Sequence, residues 1–334
     1  MQSEMTAHVI EEYGDPDVFT ETERPIPEPD PGEIRVGVVA SSVNPVDYKI
    51  RAGHIPDFAP EFPATLGCDV AGVVDAVGEG VDRFEAGDEV YGMPGGAGRQ
   101  GGLADYVVGH AGTFADAPES IPLADAAALP VVALTAWEML TDKSDVGIDD
   151  DVLVYGASGG VGHIGVQVAR WLGANVTATG STAEKRDLAL ELGADGAVDY
   201  TETEPAEYVV QYADGAGFDT VFDPVGDDHL ATAFEAVRPF GSVVTTESSA
   251  AEKLSLAPMH ENSLELGVVL VILPVLLGER EERVGDELDE IASLVDDGAI
   301  TPHVDERFTF DEVADAHALA ESGEFVGKLL LENE

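Results

Sequence analysis

The chain has a single cysteine, Cys68, in 334 residues, which excludes an internal disulfide and fits a reducing cytoplasm. Basic residues are scarce: 16 Lys and Arg stand against 66 Asp and Glu, a formal net charge of −50 at pH 7. A surface of that sign repels phosphate backbones, so nucleic acid is excluded as a partner. Long apolar runs are also missing. The longest, residues 268–277, is interrupted by Pro274 and is too short to span a bilayer, so no membrane partner is expected. The opening residues, MQSEMTAHVIEEYG, lack a basic segment followed by an apolar one, so no secretory signal is expected. Acidic residues are scattered, with runs no longer than Asp149-Asp150-Asp151, which excludes a disordered acidic tail. Charge of this kind keeps a protein soluble where salt screens repulsion, and it predicts a halophilic host. The thermal midpoint should therefore rise from low to molar salt; a melting series indifferent to salt would count against that expectation.

What is present is glycine in a telling order. Residues 152–155 form a short apolar run suited to a buried parallel strand, and Gly156, Gly159 and Gly162 follow as G-x-x-G-x-x-G. One glycine permits the tight turn, one lets N–H groups approach a pyrophosphate, and one lets the next helix lie close on the strand. Val161, Ile164, Val168 and Leu172 recur at helical spacing, Gly173 sits where a helix C′ glycine belongs, and residues 176–179 make a second strand. The order points to a dinucleotide held by Gly156, Ser158, Gly159, Gly160, Val161 and Gly162 at a helix N-terminus. The second strand ends Thr179-Gly180-Ser181-Thr182, without the carboxylate that takes the ribose 2′-hydroxyl in NAD sites. Lys185 and Arg186 follow within one helical turn, so with Ser181 they suit a 2′-phosphate, and NADPH is the expected cofactor. Ser181 and Glu184 also have the spacing of a capping box, which is compatible with an anion at the same N-terminus. Solvated helix residues are the alternative account of Lys185 and Arg186.

With 44% hydrophobic residues the chain can fill two cores. Residues 1–125 carry short β-branched runs at 34–39, 69–77, 88–91 and 103–108 between glycines and prolines, which predicts a compact antiparallel barrel. From Leu123 a helical segment leads into residues 126–272, where strands at Val152, Val176, Ala197, 218–222 and 242–245 alternate with helical patterns. That alternation predicts a doubly wound parallel sheet, so the fold class is α/β. Residues 287–331 read helix, strand (307–310), helix (311–321) and strand, and residues 273–334 are expected to complete the first domain.

Several segments in combination resemble the medium-chain dehydrogenase/reductase superfamily, in its zinc-free quinone oxidoreductase branch that includes zeta-crystallin. They are NPVDYKIRAG (44–53), FPATLGCDVAGVVDAVGEGV (62–81), GDEVYG (87–92), GASGGVG (156–162), LGADGAVDY (192–200), FDPVG (222–226) and GKLLL (327–331), and they cover nearly the whole chain. The resemblance implies a GroES-like substrate domain made from both chain ends, a central Rossmann domain, hydride transfer in a cleft between them, and a homodimer. The zinc-dependent alcohol dehydrogenases of the superfamily use a Cys, a His-Glu pair and a further Cys at catalytic zinc. Here Asn44 stands where the first Cys would be, Cys68 and Asp69 replace His-Glu, and residues 93–102 hold none of the four cysteines of the structural zinc lobe. One thiol and one carboxylate do not make three converging ligands, so no metal is expected and Cys68 reads as a small buried residue.

Without a metal, the easier reaction is hydride delivery to a quinone or to an electron-poor carbon conjugated to a carbonyl, with the cofactor carrying the hard chemistry. The protein then aligns nicotinamide C4 with the acceptor and steadies the developing oxyanion. Asn44 and Lys49 are the expected catalytic residues, because the resemblance places their counterparts beside the nicotinamide ribose. A surface salt bridge competes for Lys49 and initiation of the Asn-Pro turn for Asn44. Tyr48 is a candidate proton donor, against packing with its hydroxyl at the surface. Asp47 reads as a turn ligand, and His163 as a solvent-facing helix residue. On the cofactor side the resemblance adds Thr135 against the nicotinamide and Tyr200 near the adenosine phosphate. Asp223 and Val225 fall on the carboxyl edge of the sheet, Val269 lies in the last Rossmann strand (267–272), and Lys328 in the terminal GKLLL. A strand-end aromatic in the core is the alternative for Tyr200, and an internal core strand for 267–272, which the resemblance pairs with its twin across a dimer axis. The expected function is an NADPH-dependent, zinc-independent, cytoplasmic oxidoreductase of quinones or α,β-unsaturated carbonyls. A zinc-free alcohol dehydrogenase or aldehyde reductase, and a non-catalytic crystallin-like NADPH-binding protein, are the alternatives.

Overall fold

The computed structural model describes residues 3–226, 229–247 and 255–333. Two compact units emerge: Met1–Leu134 with Ile272–Glu334, and Thr135–Val271. Residues 126–134, grouped above with the nucleotide unit, belong instead to the first. Ala126 to Leu129 are buried there, and the Val131 amide donates to Asp69 Oδ1 at 2.7 Å.

The second unit is a six-stranded sheet in the order Gly196–Val198, Asn175–Thr179, Asp151–Val154, Phe218–Asp223, Val237–Thr245, Glu265–Val268. Every pairing is parallel. Val152, Leu153, Val154, Val176, Val221 and Val243 are all buried, as expected of strands covered on both faces. The earliest strand lies in the middle and its successors run outward on either side, so the direction of winding reverses at Asp151–Val154. Ligands of open α/β sheets sit at the carboxyl ends of strands at that reversal. The last strand ends earlier than the expected 267–272. Val269 still donates to Thr245 O at 3.0 Å, after which the chain turns into the helix Leu273–Leu277, begun by Pro274. It forms the sheet edge, with Val268 52% exposed, so it is not an internal core strand.

The first unit has a three-stranded sheet, Phe19–Pro25, Glu4–Ile10 and Ala64–Thr65. Its larger sheet runs Val304–Thr309, Lys328–Glu332, Glu33–Ser42, Asp69–Val77, Glu89–Gly92, Phe114–Asp116, with Tyr106–His110 also on Glu33–Ser42. Register shifts between Arg35 and Val36 and between Val38 and Ala40 bend the long strand. The C-terminal strand pairs antiparallel with it, Leu330 opposite Ser42, so the chain end does rejoin the first domain. No helix among the described residues is long and apolar enough to cross a membrane.

Candidate functional site

In the second unit the strand Asp151–Val154 leads into a turn that only glycine can make. Gly156 has φ +57°, and a Cβ on Gly162 would stand 2.0 Å from Gly156 O. Gly165 lies against the Phe222 ring, where a Cβ would come within 2.8 Å, so the helix Gly160–Trp171 is drawn onto the sheet. Gly159 is the N-cap; no side chain caps this helix and its first turn holds no acid. The N-terminus therefore presents uncapped N–H groups and a positive dipole end. Ser158 is buried beside the turn, and Val225 reaches it, since a Cβ on Gly156 would stand 2.7 Å from Val225 Cγ2. Asp223 Oδ1 accepts from the amides of Val225 (3.1 Å) and Gly226 (2.9 Å), while its Oδ2 is buried with no partner among the described residues. Burial holds the Asp223 carboxyl above its ordinary pKa.

His163 does not face solvent. It is buried, with Nδ1 against Gly159 O at 3.1 Å, because this helix is covered from Gly162 to Ala169. The capping box also differs from expectation. The helix Ala183–Glu191 is capped by Thr182, whose Oγ1 accepts from the Lys185 amide at 3.2 Å, which leaves Ser181 one position outside the cap. Lys185 is half-buried and its ammonium has no partner among the described residues. Arg186 is engaged: Nη1 donates to Gly180 O (2.9 Å) and to Asp199 Oδ2 (2.7 Å). Asp199 is a feature the sequence reading missed. Parallel pairing of Thr179 with Val198 brings its carboxylate beside the end of the second strand, although it lies twenty positions along the chain. Tyr200, 42% exposed, is not a core residue and sets its ring edge-on to His229. Thr135 is buried in the helix Pro130–Trp137, and Val269 is buried beyond the edge strand.

In the first unit the expected catalytic residues lie at the start of the helix Pro45–Arg51. Asn44 is its N-cap, in extended conformation; the following Pro45 suits the first helical position. Asp47 acts as the expected turn ligand, Oδ2 accepting from the Asn44 amide (2.8 Å) and Oδ1 from the Gly67 amide (3.1 Å). Burial pushes its pKa up to about 6. Tyr48 and Lys49 are half-buried on the same helix. Asn44 is buried, its side chain enclosed with Lys328 and Asp69. Asn44 Nδ2 donates to Asp69 Oδ2 at 2.7 Å, and Lys328 Nζ donates to Asn44 Oδ1 at 2.7 Å, Val43 O at 3.0 Å and Asp69 Oδ2 at 3.3 Å. Ser42 Oγ also donates to Asp69 Oδ2. Cys68 is buried, and burial together with Asp47 and Asp69 pushes its thiol pKa well up.

A second buried group, also missed, joins the end of that helix to the helix Val313–Ser322. Arg51 Nη2 meets Glu321 Oε1 at 2.7 Å beside His317, whose pKa burial and then Arg51 lower to about 3.

Comparison with known proteins fits this geometry. Residues 30–119 match a family model described as alcohol dehydrogenase GroES-like domain, and residues 192–331 one described as zinc-binding dehydrogenase. The chain is 34% identical over 367 residues to the NAD(P)H oxidoreductase RTN4IP1, mitochondrial, of Mus musculus, covering 98% of this chain and 89% of that protein. It is 31% identical over 309 residues to the quinone oxidoreductase of Pseudomonas aeruginosa, covering 91% and 92%. The chain belongs to the medium-chain dehydrogenase/reductase superfamily, in its quinone oxidoreductase branch. The crystal structure of an alcohol dehydrogenase superfamily protein from Novosphingobium aromaticivorans superposes with a TM-score of 0.93 at 35% identity, covering 99% of this chain and 100% of that one. Membership makes the chain an oxidoreductase, and its two units are the GroES-like and Rossmann domains.

Proposed function

We propose that this chain is an NADPH-dependent, zinc-independent oxidoreductase that delivers hydride to a quinone or an α,β-unsaturated carbonyl. The observation that carries the reading is the turn from Gly156 to Gly162, where the φ of +57° at Gly156 and backbone crowding at Gly162 require glycine, and which leads into a helix with no side-chain cap. A dinucleotide pyrophosphate suits such an N-terminus, and the orphaned Asp223 Oδ2 beside it suits a hydroxyl or amide donor of the same ligand. When bound, NADPH supplies the hydride from nicotinamide C4. Ser158, Gly159, Gly160 and Val161 hold the diphosphate, with Val225, Thr135 and Val269 bordering the remainder of the dinucleotide. Ser181 and the unpaired Lys185 take the 2′-phosphate, while Tyr200 offers its exposed ring to the adenosine. Asp199, which would repel a 2′-phosphate, is neutralised by Arg186. Asn44 and Lys49 steady the acceptor oxygen as charge develops there, and Tyr48 supplies the proton.

Zinc does not fit the residues that replace its ligands. Cys68 is held as a thiol where a ligand must be a thiolate, and an ammonium already lies against Asn44 Oδ1 and Asp69 Oδ2. A second cation there would meet the first. The edge strand Glu265–Val268 is the proposed homodimer surface, since among the described residues no strand pairs with its outer side.

NADPH oxidation with a panel of quinones, enones and simple aldehydes tests the reading. Turnover of quinones or enones is expected. Turnover of simple aldehydes alone would favour an aldehyde reductase, and tight binding with no turnover a crystallin-like protein. Lys185→Glu is expected to weaken NADPH about tenfold, the size of one contact worth ~1.4 kcal/mol, and NADH by much less. Equal losses in fluorescence titrations would remove the 2′-phosphate assignment.

A further inference from the structure

Lys328 begins the last strand of the GroES-like unit, and its side chain is 3% exposed. An ammonium has three N–H donors, and here three acceptors receive them: Val43 O, Asn44 Oδ1 and Asp69 Oδ2. No donor remains for a cofactor. The Asn44 side chain is fixed by the same pair, its oxygen toward Lys328 and its nitrogen toward Asp69. Flipping that amide would aim NH2 at an ammonium and a carbonyl at a carboxylate, both repulsive, so only one orientation is allowed. The backbone is held separately: the Asn44 amide donates to Asp47 Oδ2, and the Asp47 amide to Asn44 O at 3.0 Å. Asp47 thus sets where Asn44 stands, and Lys328 with Asp69 sets how its side chain is turned.

We propose that Lys328 is a positioning residue, an internal cation that with Asp69 aims the Asn44 carboxamide, and not a contact of the cofactor. The proposal rests on the reading above that Asn44 works on the acceptor oxygen. It also gives the buried carboxylates of Asp47 and Asp69 a cation supplied by the chain itself. One N–H of Asn44 Nδ2 is left by these contacts, which is the polarity an acceptor oxygen needs.

The test compares wild type, Lys328→Met, Asn44→Ala and the double variant, with NADPH binding followed by fluorescence and turnover with 1,4-naphthoquinone. Each step is repeated with Lys328→Met/Asp69→Asn, which removes both members of the buried pair if the single variant fails to fold. Lys328→Met is expected to lower kcat about 100-fold, the scale of a misplaced catalytic group, with NADPH affinity nearly unchanged. Asn44→Ala should lower kcat similarly, and the double variant should be no slower than Asn44→Ala alone. Losses that multiply would overturn the proposal, as would a tenfold or greater weakening of NADPH on Lys328→Met. A further readout needs neither turnover nor cofactor: the Asn44 side-chain NH2 signals, assigned by their loss in Asn44→Ala, should shift and exchange faster in the Lys328 variant. If wild type turns over no acceptor, the reductase reading fails and the NMR result alone judges Lys328. Unchanged Asn44 signals would overturn the proposal even in an active enzyme.

Discussion

Gly159→Asp is expected to abolish NADPH binding while leaving the protein folded. Gly159 has φ −85° and ψ 176°, which any residue adopts, and an added Cβ would meet only Gly156 O, at 3.3 Å. Asp is also a favoured N-cap, worth about a few tenths of a kcal/mol over Gly, which offsets the tight contact, so the apo protein should melt at nearly the same temperature. The carboxylate would cap the N–H groups proposed for the pyrophosphate and repel its charge. A loss of affinity on the order of 1,000-fold or more, ~4 kcal/mol, is expected in a fluorescence titration. Gly162→Ala is the contrasting variant. Its Cβ would stand 2.0 Å from Gly156 O, 2.7 Å from Gly156 C and 2.9 Å from Ala157 Cα, all backbone atoms that cannot step aside. That variant should lose thermal stability as well as binding. Undiminished NADPH affinity in a folded Gly159→Asp protein would remove the nucleotide from this turn.

The nucleotide turn was legible because its signals are local: an apolar run, three glycines and a helical repeat stand within twenty residues. The strand Asp69–Val77 was legible to its ends for the same reason. Errors arose where neighbours in space decide. His163 is a polar residue between Gly162 and Ile164, yet packing encloses its helix from Gly162 to Ala169, which single-helix periodicity does not report. Ser181 is intrinsically the better cap of the two, yet the helix begins at Ala183 and so takes Thr182. Asp199 reaches the proposed ribose end only through the register of two parallel strands. Lys328 and Asn44 are 284 positions apart, and Arg51 and Glu321 are 270 apart; no local pattern joins either pair. The resemblance supplied the expected catalytic residues, whereas no local pattern signalled the buried Lys328–Asp69 pair around the Asn44 side chain.

That charge pair leads to a second large expected effect, on stability: Asp69→Ala should cost about 3–5 kcal/mol, the scale of a buried ion pair that loses one partner. Asp69 accepts from Ser42 Oγ, Asn44 Nδ2 and Lys328 Nζ on one oxygen and from the Val131 amide on the other, so four donors lose their acceptor together. Lys328 is then left buried with neutral acceptors and a single nearby carboxylate, Asp47. The loss should depend on pH. Burial, with repulsion from Asp69 contributing, holds Asp47 near pKa 6, while Lys328 pulls it down. Native Asp47 therefore binds protons that the unfolded chain releases, and in wild type this contribution to stability is present below the unfolded pKa and is lost as pH rises through about 6. Removing Asp69 lowers the Asp47 pKa, so the variant loses less over the same rise. The difference between the two proteins should accordingly be larger at pH 5 than at pH 8, where ionised Asp47 partly compensates Lys328. Lys328→Met/Asp69→Asn, with neither charge, should recover most of the stability. Urea denaturation at the two pH values checks both statements. A loss under about 1 kcal/mol in Asp69→Ala, or one that grows toward pH 8, would mean that Lys328 is not confined between these carboxylates.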